Sequence, residues 1–456
     1  MNSIKNLQSE PWFIDTFFSD FATIAWGQPT QLLLLGAGLF FAIIAKFKPY
    51  RYLVYAFDVL RGKYPSEGAG EVSHFKSLTA TLSGTIGLGN IAGVAAAIYF
   101  GGPGAIFWMW VTAIFGIATK FFTATLSSLY REINSDGTVN AGTMYIIKNG
   151  LPKYMLPFAY MFAFFGMIAG LPAVQASEIV RITENLFFSD VENFVYIAGA
   201  TMAVITAAVI VGGLKRIANV SALLVPIMSI IYFGAVFVVV VLNHEQLIPA
   251  ISSIFYEAFN FKSAVTGGLV MVILTGIKRG VFSNEAGVGT EALIHGTATT
   301  THPAKQGLVA MTGPIFDTLI MCTLTALVIL MSGVEPTADN KGVLLTAESF
   351  EVMLGSIGPL ILFIVVLCFG LSTIFTYSFY GTACVKFLFG KRGIPIYQFI
   401  FVCAVFGFSV GGFDLALNVV DSAFAMMIFP TLISCIWLAP VAVKKANEYF
   451  SSINQK

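Results

Sequence analysis

The chain has 456 residues, of which 57% are hydrophobic and only 11% are charged. No soluble domain of this length needs so apolar a composition, and a net charge of +1 without a basic tail gives no sign of nucleic-acid binding. Because the apolar runs are continuous rather than alternating, they predict an all-α polytopic membrane protein and not a barrel.

Eleven apolar runs are long enough to cross a bilayer. Residues 1–29 precede them, lack the basic start of a cleavable signal, and are predicted to form an extracellular segment with a short interfacial or re-entrant helix. Several runs exceed the length of a straight crossing, which predicts tilted or broken helices. The predicted spans are residues 30–47, 77–100, 103–130, 154–183, 193–213, 217–242, 263–294, 305–333, 354–388, 394–412 and 415–444.

The distribution of Lys and Arg predicts the orientation of these spans. If the connection after the first span is cytoplasmic, that side carries 18 of the 25 basic residues, the other side carries Lys5, Arg181, Lys262 and Lys341, and three lie within spans. Cytoplasmic loops carry the excess of positive charge. We therefore expect an extracellular N-terminus, a cytoplasmic C-terminus and a location in the inner or plasma membrane.

The second span is interrupted by glycines. Gly84, Gly87 and Gly89 remove the Cβ atoms that favour a helix, so the chain can open there at little steric cost. An opened backbone within a membrane is tolerated only where it is buried or lines a cavity, and its free N–H and C=O groups suit a carboxylate and a cation. The alternative is a glycine-rich helix packed closely on a neighbour.

A second interrupted stretch, residues 276–287, lies in the seventh span and carries Lys278, Arg279 and Glu285 at membrane depth. Unpaired charges there are costly, so we expect these three to pair with one another or with the ends of the broken helix. A purely structural salt bridge and a substrate role for Glu285 remain alternatives. Phe282 and Ser283 fall at the interruption, where an aromatic lid and a hydroxyl ligand would be useful.

The two interruptions open two blocks of five spans. Five is odd, so the blocks sit in the membrane with opposite orientations, and paired broken helices in inverted halves mark the binding site of a secondary transporter. The sequence thus predicts an inverted five-plus-five repeat preceded by one extra helix. The predicted division is residues 30–76 for the extra helix and its connection, 77–242 for the first repeat, 243–262 for an extracellular connection, 263–445 for the second repeat and 446–456 for a cytoplasmic tail.

Six runs of the sequence carry a resemblance to a known family. They are Gly84-Thr85-Ile86-Gly87-Leu88-Gly89-Asn90-Ile91-Ala92-Gly93-Val94-Ala95, Gly101-Gly102-Pro103-Gly104-Ala105, Phe107-Trp108-Met109-Trp110-Val111-Thr112, Gly213-Leu214-Lys215-Arg216-Ile217, Phe282-Ser283-Asn284-Glu285-Ala286-Gly287 and His302-Pro303-Ala304-Lys305-Gln306-Gly307-Leu308-Val309-Ala310-Met311. These motifs resemble the alanine or glycine:cation symporter family. Its members carry small amino acids, mainly alanine or glycine, with Na⁺, and share the inverted-repeat fold of the bacterial leucine transporter. The resemblance therefore implies a transporter and not an enzyme, with Na⁺ as the coupling ion and no organic cofactor.

The resemblance also implies roles for individual residues. The substrate carboxylate would meet backbone amides at the first break, Gln175 would face the substrate, and one Na⁺ would bind between that break and a helix near residue 370. Glu285, Lys278 and Arg279 are expected to have structural or gating roles. The implied substrate-binding residues are Thr85, Gly87, Leu88, Gly89, Asn90, Gln175, Phe282, Ser283, Asn284 and Tyr377, and the implied Na⁺ ligands are Ser83, Ile86, Phe369, Ser372 and Thr373.

Some positions depart from the family pattern. Tyr377 and Thr382 stand where the family often has Trp and Glu, and Thr290-Glu291-Ala292-Leu293 replaces a run of small residues and proline. A phenol in place of an indole changes the size of a pocket and adds a hydroxyl. Alanine or glycine remains the expected substrate, and a larger or polar amino acid such as glutamine or serine is the alternative.

Several other polar side chains lie within or between the predicted spans. His295 and His302 flank a loop that we expect to be exposed, while Asp317, Glu178 and Asp421 lie in apolar spans and are expected to be hydrogen-bonded in helix packing. An H⁺-coupled carrier using Asp317 or Glu285 is the runner-up, and a channel or receptor is a further rival. No phosphate-binding loop, nucleophile–base set or metal spacing suggests an enzyme. The expected partners are the amino acid, Na⁺ and the bilayer, and we expect a monomer.

Overall fold

The computed structural model describes residues 13–64, 67–260, 268–411 and 413–454. Parts of the predicted N-terminal segment, of the 243–262 connection, of the start of the second repeat and of the C-terminal tail lie outside these ranges. The first half of the chain forms helices α1 (Phe13–Ala25), α2 (Gln28–Ile44), α3 (Lys48–Arg51), α4 (Leu53–Leu60), α5 (His74–Thr85), α6 (Ala92–Gly101), α7 (Gly104–Tyr130), α8 (Thr143–Gly150), α9 (Leu156–Ala169), α10 (Ala173–Phe187), α11 (Phe194–Ile210), α12 (Gly213–Leu242) and α13 (His244–Ala258).

The second half of the chain is also helical, and its described residues form no strand. Its helices are α14 (Gly268–Asn284), α15 (Thr290–His295), α16 (Pro303–Ala310), α17 (Thr323–Ser332), α18 (Val343–Leu354), α19 (Ile357–Phe389), α20 (Gly393–Val410), α21 (Phe413–Trp437) and α22 (Ala439–Asn454). Short 3₁₀ turns cover Leu88–Asn90 and Lys153–Met155, and a π-helical segment covers Ile315–Cys322. An antiparallel hairpin of β1 (Glu132–Ile133) and β2 (Val139–Asn140) pairs Glu132 with Asn140.

The length and composition of the helices agree with a multi-pass membrane protein. Within the described ranges, seven helices are long and apolar enough to cross a membrane, or up to nine if each bent pair counts as one span. The predicted number of eleven therefore stays a prediction. The outer face of α12 is typical of lipid contact, since its large apolar side chains at positions 223, 230, 233 and 237 are all more than half exposed.

The first predicted interruption is present at the expected place. α5 ends at Thr85, α6 begins at Ala92, and the two helices are bent by 57° with respect to each other. The N-terminal segment shows a similar break, because α1 and α2 are bent by 41°. A short interfacial or re-entrant helix was predicted before the first span. α1 is a helix at this place, and its position relative to the membrane stays a prediction.

The second interruption lies later than predicted. α14 runs without a break through Gly276 and Gly280 and ends at Asn284, and α15 starts at Thr290. A Cβ atom on Gly276 would lie 2.5 Å from the Cβ atom of Trp108, and one on Gly280 would lie 3.0 Å from the Cβ atom of Thr112. These two glycines therefore allow α14 to pack closely on α7 and do not open the helix.

Two further irregularities were not predicted. The fourth span is divided at Gly170–Pro172 into α9 and α10, and a Cβ atom on Gly170 would lie 2.8 Å from the backbone nitrogen of Gly381 in α19. The π-helical segment turns Asp317 and Thr318 toward the end of α14. Such segments are often found at functional sites.

Candidate functional site

The first break exposes backbone amides in the centre of the bundle. Ile86 leaves the helix with a ψ of 82°, and Gly87 is extended. The amide of Gly87 donates to the side-chain oxygen of Asn90 at 3.2 Å and to the carbonyl of Thr85. The amides of Leu88 and Gly89 donate to no group in the described part of the chain. Two of the three amides predicted for a carboxylate are therefore available, and they lie at the start of the outgoing half-helix.

A cluster of hydroxyl and carbonyl oxygens joins this break to α19. The hydroxyl of Thr373 donates to the carbonyls of Ser83 and Phe369, each at 2.9 Å, and the hydroxyl of Ser372 donates to the carbonyl of Phe369 at 3.0 Å. In return, the hydroxyl of Ser83 donates to the carbonyl of Ser372 at 2.8 Å. Four of the five predicted cation ligands are thus bonded to one another, and Ile86 follows in the same turn.

Gly87 is required for this close approach. A Cβ atom at Gly87 would lie 2.4 Å from the hydroxyl oxygen of Thr373, which is far too short for any real contact. Thr376, which was not predicted, adds a further hydroxyl by donating to the hydroxyl oxygen of Ser83 at 3.0 Å. Its place one turn after Thr373 on α19 is the signal that could have identified it.

The second break is built from charged and strained residues. Glu285 has a φ of 54°, a left-handed conformation rare for a side chain of this size, and it is followed by Gly287 and Gly289 with φ values near 90°. The carboxylate of Glu285 accepts hydrogen bonds from the hydroxyl of Thr290 and, at 2.7 Å, from that of Tyr377 on α19. Glu285 therefore pairs with hydroxyl groups and not with Lys278 or Arg279.

Asp317 connects the two breaks. Its carboxylate accepts from the side-chain amide of Asn90 and from the hydroxyl of Ser283, the latter at 2.9 Å. Asn284 donates to the neighbouring Thr318 at 3.2 Å. The expectation of a hydrogen-bonded Asp317 is met, and Asn90, Ser283 and Asn284 hold the two breaks together in this conformation.

Aromatic rings and glycines enclose the space between the breaks. The ring of Phe282 lies 3.4 Å from the position of a Cβ atom on Gly89. Phe282 and Tyr377 each contact Phe424 of α21 edge to face, with ring centroids 6.2 Å apart in both pairs. Phe424 was missed by the sequence analysis, because one Phe among 43 carries no distinguishing signal.

Two buried polar atoms near the first break have no hydrogen-bond partner in the described structure. They are the hydroxyl oxygen of Thr85 and the amide oxygen of Gln175, on side chains that are 3% and 5% exposed. Buried polar groups are nearly always paired, so such atoms suggest a missing ligand or water. Both residues were predicted to bind substrate.

Lys278 and Arg279 of α14 have other partners than the sequence predicted. Lys278 forms an ion pair of 2.7 Å with Asp421 on α21, and the guanidinium of Arg279 lies over the ring of Phe282. The prediction that Lys278 pairs with Arg279, Glu285 or a helix end was therefore wrong, because α21 brings Asp421 against this face of α14. Both contacts suit a structural role.

His295 is not exposed, which corrects the expectation for its loop. Its ring is fully buried where α15 packs on α7, and its Nδ1 lies 2.6 Å from the amide nitrogen of Gln306. The amide oxygen of Gln306 is in turn 2.6 Å from Nδ1 of His74. This series of hydrogen bonds joins α5, α15 and α16. It therefore connects the two half-helices, α5 and α15, that lie on the same side of the breaks.

A cavity of about 340 Å³ opens on the side of the bundle that carries the hairpin. Its lining includes Leu293 of α15, Thr382 and Lys386 of α19, and Tyr145. Leu293 is packed so closely on Gly142 that a Cβ atom there would lie 2.3 Å from it. Nearby, the ion pair with Lys391 holds the pKa of the exposed Asp136 well below its usual range.

The comparison with a solved structure shows the fold. The crystal structure of MhsT in complex with L-phenylalanine aligns with a TM-score of 0.59, covering 83% of this chain and 99% of that one at 15% identity. It is a transporter with the fold of the bacterial leucine transporter, so the predicted inverted repeat with two broken helices is confirmed.

Comparison with known sequences identifies the family. The sodium/alanine symporter AgcS of Methanococcus maripaludis is 38% identical over 436 residues, 94% of this chain and 95% of that protein. The probable sodium/glutamine symporter GlnT of Bacillus subtilis is 33% identical, covering 93% of this chain and 88% of its own length. The family described as the sodium:alanine symporter family matches residues 12–456. The chain therefore belongs to the sodium:alanine symporter family and is a membrane transporter, not an enzyme.

Proposed function

We propose that this protein carries alanine or glycine into the cell together with Na⁺, by alternating access. One observation carries the proposal: the first break places free backbone amides and unpartnered polar side chains directly beside a cluster of neutral oxygens. Amides suit a carboxylate, and neutral hard oxygens suit a monovalent hard cation. The two ligands would therefore bind next to each other, one on each side of the same opened turn.

The Na⁺ site is proposed between α5 and α19. Ser83, Ile86 and Phe369 would contribute carbonyl oxygens, while Ser372 and Thr373 would contribute hydroxyl oxygens. These hydroxyls now donate to the carbonyls of Ser83 and Phe369. When a cation binds, rotation of the O–H bonds would turn their lone pairs toward it, so little backbone movement is needed.

The amino acid is proposed to bind at the amides of Leu88 and Gly89. Its carboxylate would meet the positive end of the dipole of α6. Thr85 and Gln175 each supply a buried oxygen without a partner, and such acceptors suit the substrate ammonium group. Phe282 and Tyr377 would close the side-chain pocket, and the close approach of Phe282 to Gly89 favours a small side chain.

Release requires that the half-helices on the hairpin side move. The His74–Gln306–His295 chain joins the ends of α5 and α15 on that side. Leu293 of α15 lines the 340 Å³ cavity. Movement of α15 would therefore change the wall of this cavity and would open a path from the breaks into it. With the orientation proposed from the basic residues, this cavity faces the cytoplasm, the N-terminus is outside and the C-terminus is inside.

Coupling follows from shared preference for one conformation. If Na⁺ and the amino acid both stabilise the closed arrangement of the first break, each raises the affinity for the other by the same factor. Removing the hydroxyls of the Na⁺ site should weaken the binding of Na⁺ and leave the residues of the amino-acid site unchanged.

The double variant Ser372→Ala with Thr373→Ala tests this assignment. Loss of two oxygen ligands should raise the Na⁺ concentration for half-maximal uptake by about tenfold or more, since each lost contact costs about 1 kcal/mol. Ser378→Ala is a matched control on α19, because its hydroxyl bonds only to the carbonyl of Phe375 in its own helix. An unchanged Na⁺ dependence in the double variant would refute the site.

Uptake in proteoliposomes tests the function itself. Radiolabelled alanine and glycine should accumulate under an imposed Na⁺ gradient and not under an H⁺ gradient alone. Glutamine is the second candidate substrate, favoured by the similarity to GlnT and by the added hydroxyl of Tyr377. Competition of glutamine and serine against labelled alanine distinguishes the substrates, and accumulation driven only by H⁺ would exclude Na⁺ coupling.

A further inference from the structure

A cluster of buried charges on the hairpin side of the second break takes no part in the sites described above. Lys120 of α7 is 1% exposed, and Glu291, in the first turn of α15, is fully buried. The ammonium nitrogen of Lys120 and one carboxyl oxygen of Glu291, Oε2, have no hydrogen-bond partner in the described structure. Buried charged groups without a hydrogen-bond partner are among the most costly features of a protein interior.

Lys120 and Glu291 lie on two helices, α7 and α15, that pack against each other. Thr123 lies one turn after Lys120 on α7, and its hydroxyl contacts the other oxygen of Glu291, Oε1, at 2.6 Å. Lys120 interacts electrostatically with Glu291, Glu285 and Asp317, so one ammonium serves three buried carboxyl groups. If all were ionised, the cluster would carry two uncompensated negative charges away from water.

The three buried carboxyl groups differ in the hydrogen bonds that they accept. Both oxygens of Glu285 accept hydroxyl hydrogen bonds, and both oxygens of Asp317 accept from side chains. These two groups are therefore solvated as carboxylates by the protein. Of these three carboxyl groups, Glu291 alone keeps an oxygen, Oε2, with no hydrogen-bond donor in the described structure. A carboxyl oxygen without a donor is a position where a proton can reside.

We propose that Glu291, beside Lys120, is a proton-binding site of this carrier, and that it gains and loses a proton during the transport cycle. The proton would add to Oε2 of Glu291 and neutralise one of the excess charges. α15 carries both Glu291 and Leu293, which lines the 340 Å³ cavity. The movement of α15 proposed for release would therefore change the distance between Glu291 and Lys120. Protonation would then depend on conformation.

Other groups near this site have to be considered in any titration. The ionisable side chains that interact electrostatically with Lys120 or Glu291 come from the second break, α15, α19, α21 and the π-helical segment. No convergent set of three or more acidic, His or Cys side chains suited to a metal is found in the described ranges. The interacting groups are Glu285, His295, Asp317, Tyr380 and Cys435. Behind them, His74 interacts with His295, and Tyr377 with Glu285.

The transport test rests on the proposed function. We expect the initial rate of Na⁺-driven uptake to change at least about threefold between roughly pH 5.5 and 8.5 in the wild type. Glu291→Gln keeps the shape of the protonated acid, and its rate should vary by less than about 1.5-fold over the same range. The matched control Glu351→Gln, on the exposed face of α18, should retain the wild-type profile. An unchanged profile in Glu291→Gln would overturn the proposal.

A second readout does not depend on transport. Infrared spectra of the purified protein should show a protonated-carboxyl C=O band that titrates with pH and is absent in Glu291→Gln. If that variant does not fold, Glu291→Asp should keep the band and shift its midpoint. A titrating band with no uptake would contradict the proposed function alone, whereas uptake with no such band would contradict the proton site alone. A Glu291→Gln protein with raised Na⁺ requirement and intact pH profile would assign the position to Na⁺ instead.

Discussion

The two breaks in the bundle solve the same problem by different means. The first, between α5 and α6, is held by neutral groups: glycines that permit close approach, hydroxyls that bond to carbonyls, and an Asn side chain that satisfies a backbone amide. The second, between α14 and α15, is held by a left-handed Glu285 and surrounded by buried charges. The difference suggests that the first break presents ligand atoms, while the second sets the electrostatic field and the mobility around them.

The largest effect is expected for a buried ion pair beside the second break. Asp421→Asn leaves the ammonium of Lys278 without its 2.7 Å partner at membrane depth. We expect a loss of about 3 kcal/mol in unfolding free energy, the low end for buried pairs because the side chain of Lys278 is 24% exposed. Thermal unfolding in detergent, followed by size-exclusion chromatography, measures the effect.

The control for this prediction is another ion pair of similar length. Asp136 and Lys391 lie 2.8 Å apart at the surface, with both side chains about half exposed or more. Asp136→Asn should leave the unfolding temperature almost unchanged at neutral pH, because exposed pairs contribute little. Equal destabilisation by the two substitutions would show that burial at the second break is not what makes its charges important.

The close packing at the first break is tested by adding one methyl group. Gly87→Ala places a Cβ atom 2.4 Å from the hydroxyl of Thr373, so α5 and α19 must separate at the proposed Na⁺ site. Overpacking of this kind costs about 1–3 kcal/mol, which corresponds to roughly 5- to 150-fold weaker binding. Uptake at low Na⁺ concentration should fall by that order.

Gly93→Ala is the matched control on the same broken helix. There the added Cβ atom meets only the ring of Phe282, at an ordinary contact distance of 3.7 Å. We expect uptake close to that of the wild type. Comparable losses in the two variants would mean that the glycines serve helix opening in general and not the contact with Thr373.

How much the sequence reveals depends on which interaction sets the structure. Backbone rules are local, so the break at residues 84–90 and the apolar spans follow from composition and glycine spacing. Gly276 and Gly280 show where such rules fail, because these glycines serve close helix packing. The break lies at Glu285, nine residues after Gly276 and five after Gly280. Only the facing helix distinguishes the two outcomes.

Side-chain partners across the bundle were the least predictable part of the site. The Lys278–Asp421 pair joins residues 143 positions apart, and the contacts of Phe424 with Phe282 and Tyr377 require α21 to lie beside both. Lys120 was visible in the sequence as a cation within a span, but its carboxyl neighbours come from two other helices. Long-range pairing of this kind follows from tertiary structure and not from spacing.

The smallest expected effect lies where the two breaks meet on α19. Tyr377→Phe removes the hydroxyl that donates to Glu285 at 2.7 Å, leaving that carboxylate with the hydroxyl of Thr290. We expect a cost of about 1–1.5 kcal/mol, seen as a roughly 5- to 10-fold lower rate of uptake or affinity for the amino acid. Tyr380→Phe is the matched control one turn further along α19, because its hydroxyl is buried with no hydrogen-bond partner in the described structure. Its loss should change uptake by less than about twofold. Since the rings keep their packing in both variants, a difference between them isolates the hydrogen bond to Glu285. If both variants behave alike, Tyr377 acts by shape alone, and the charged break is not connected to α19 through this hydroxyl.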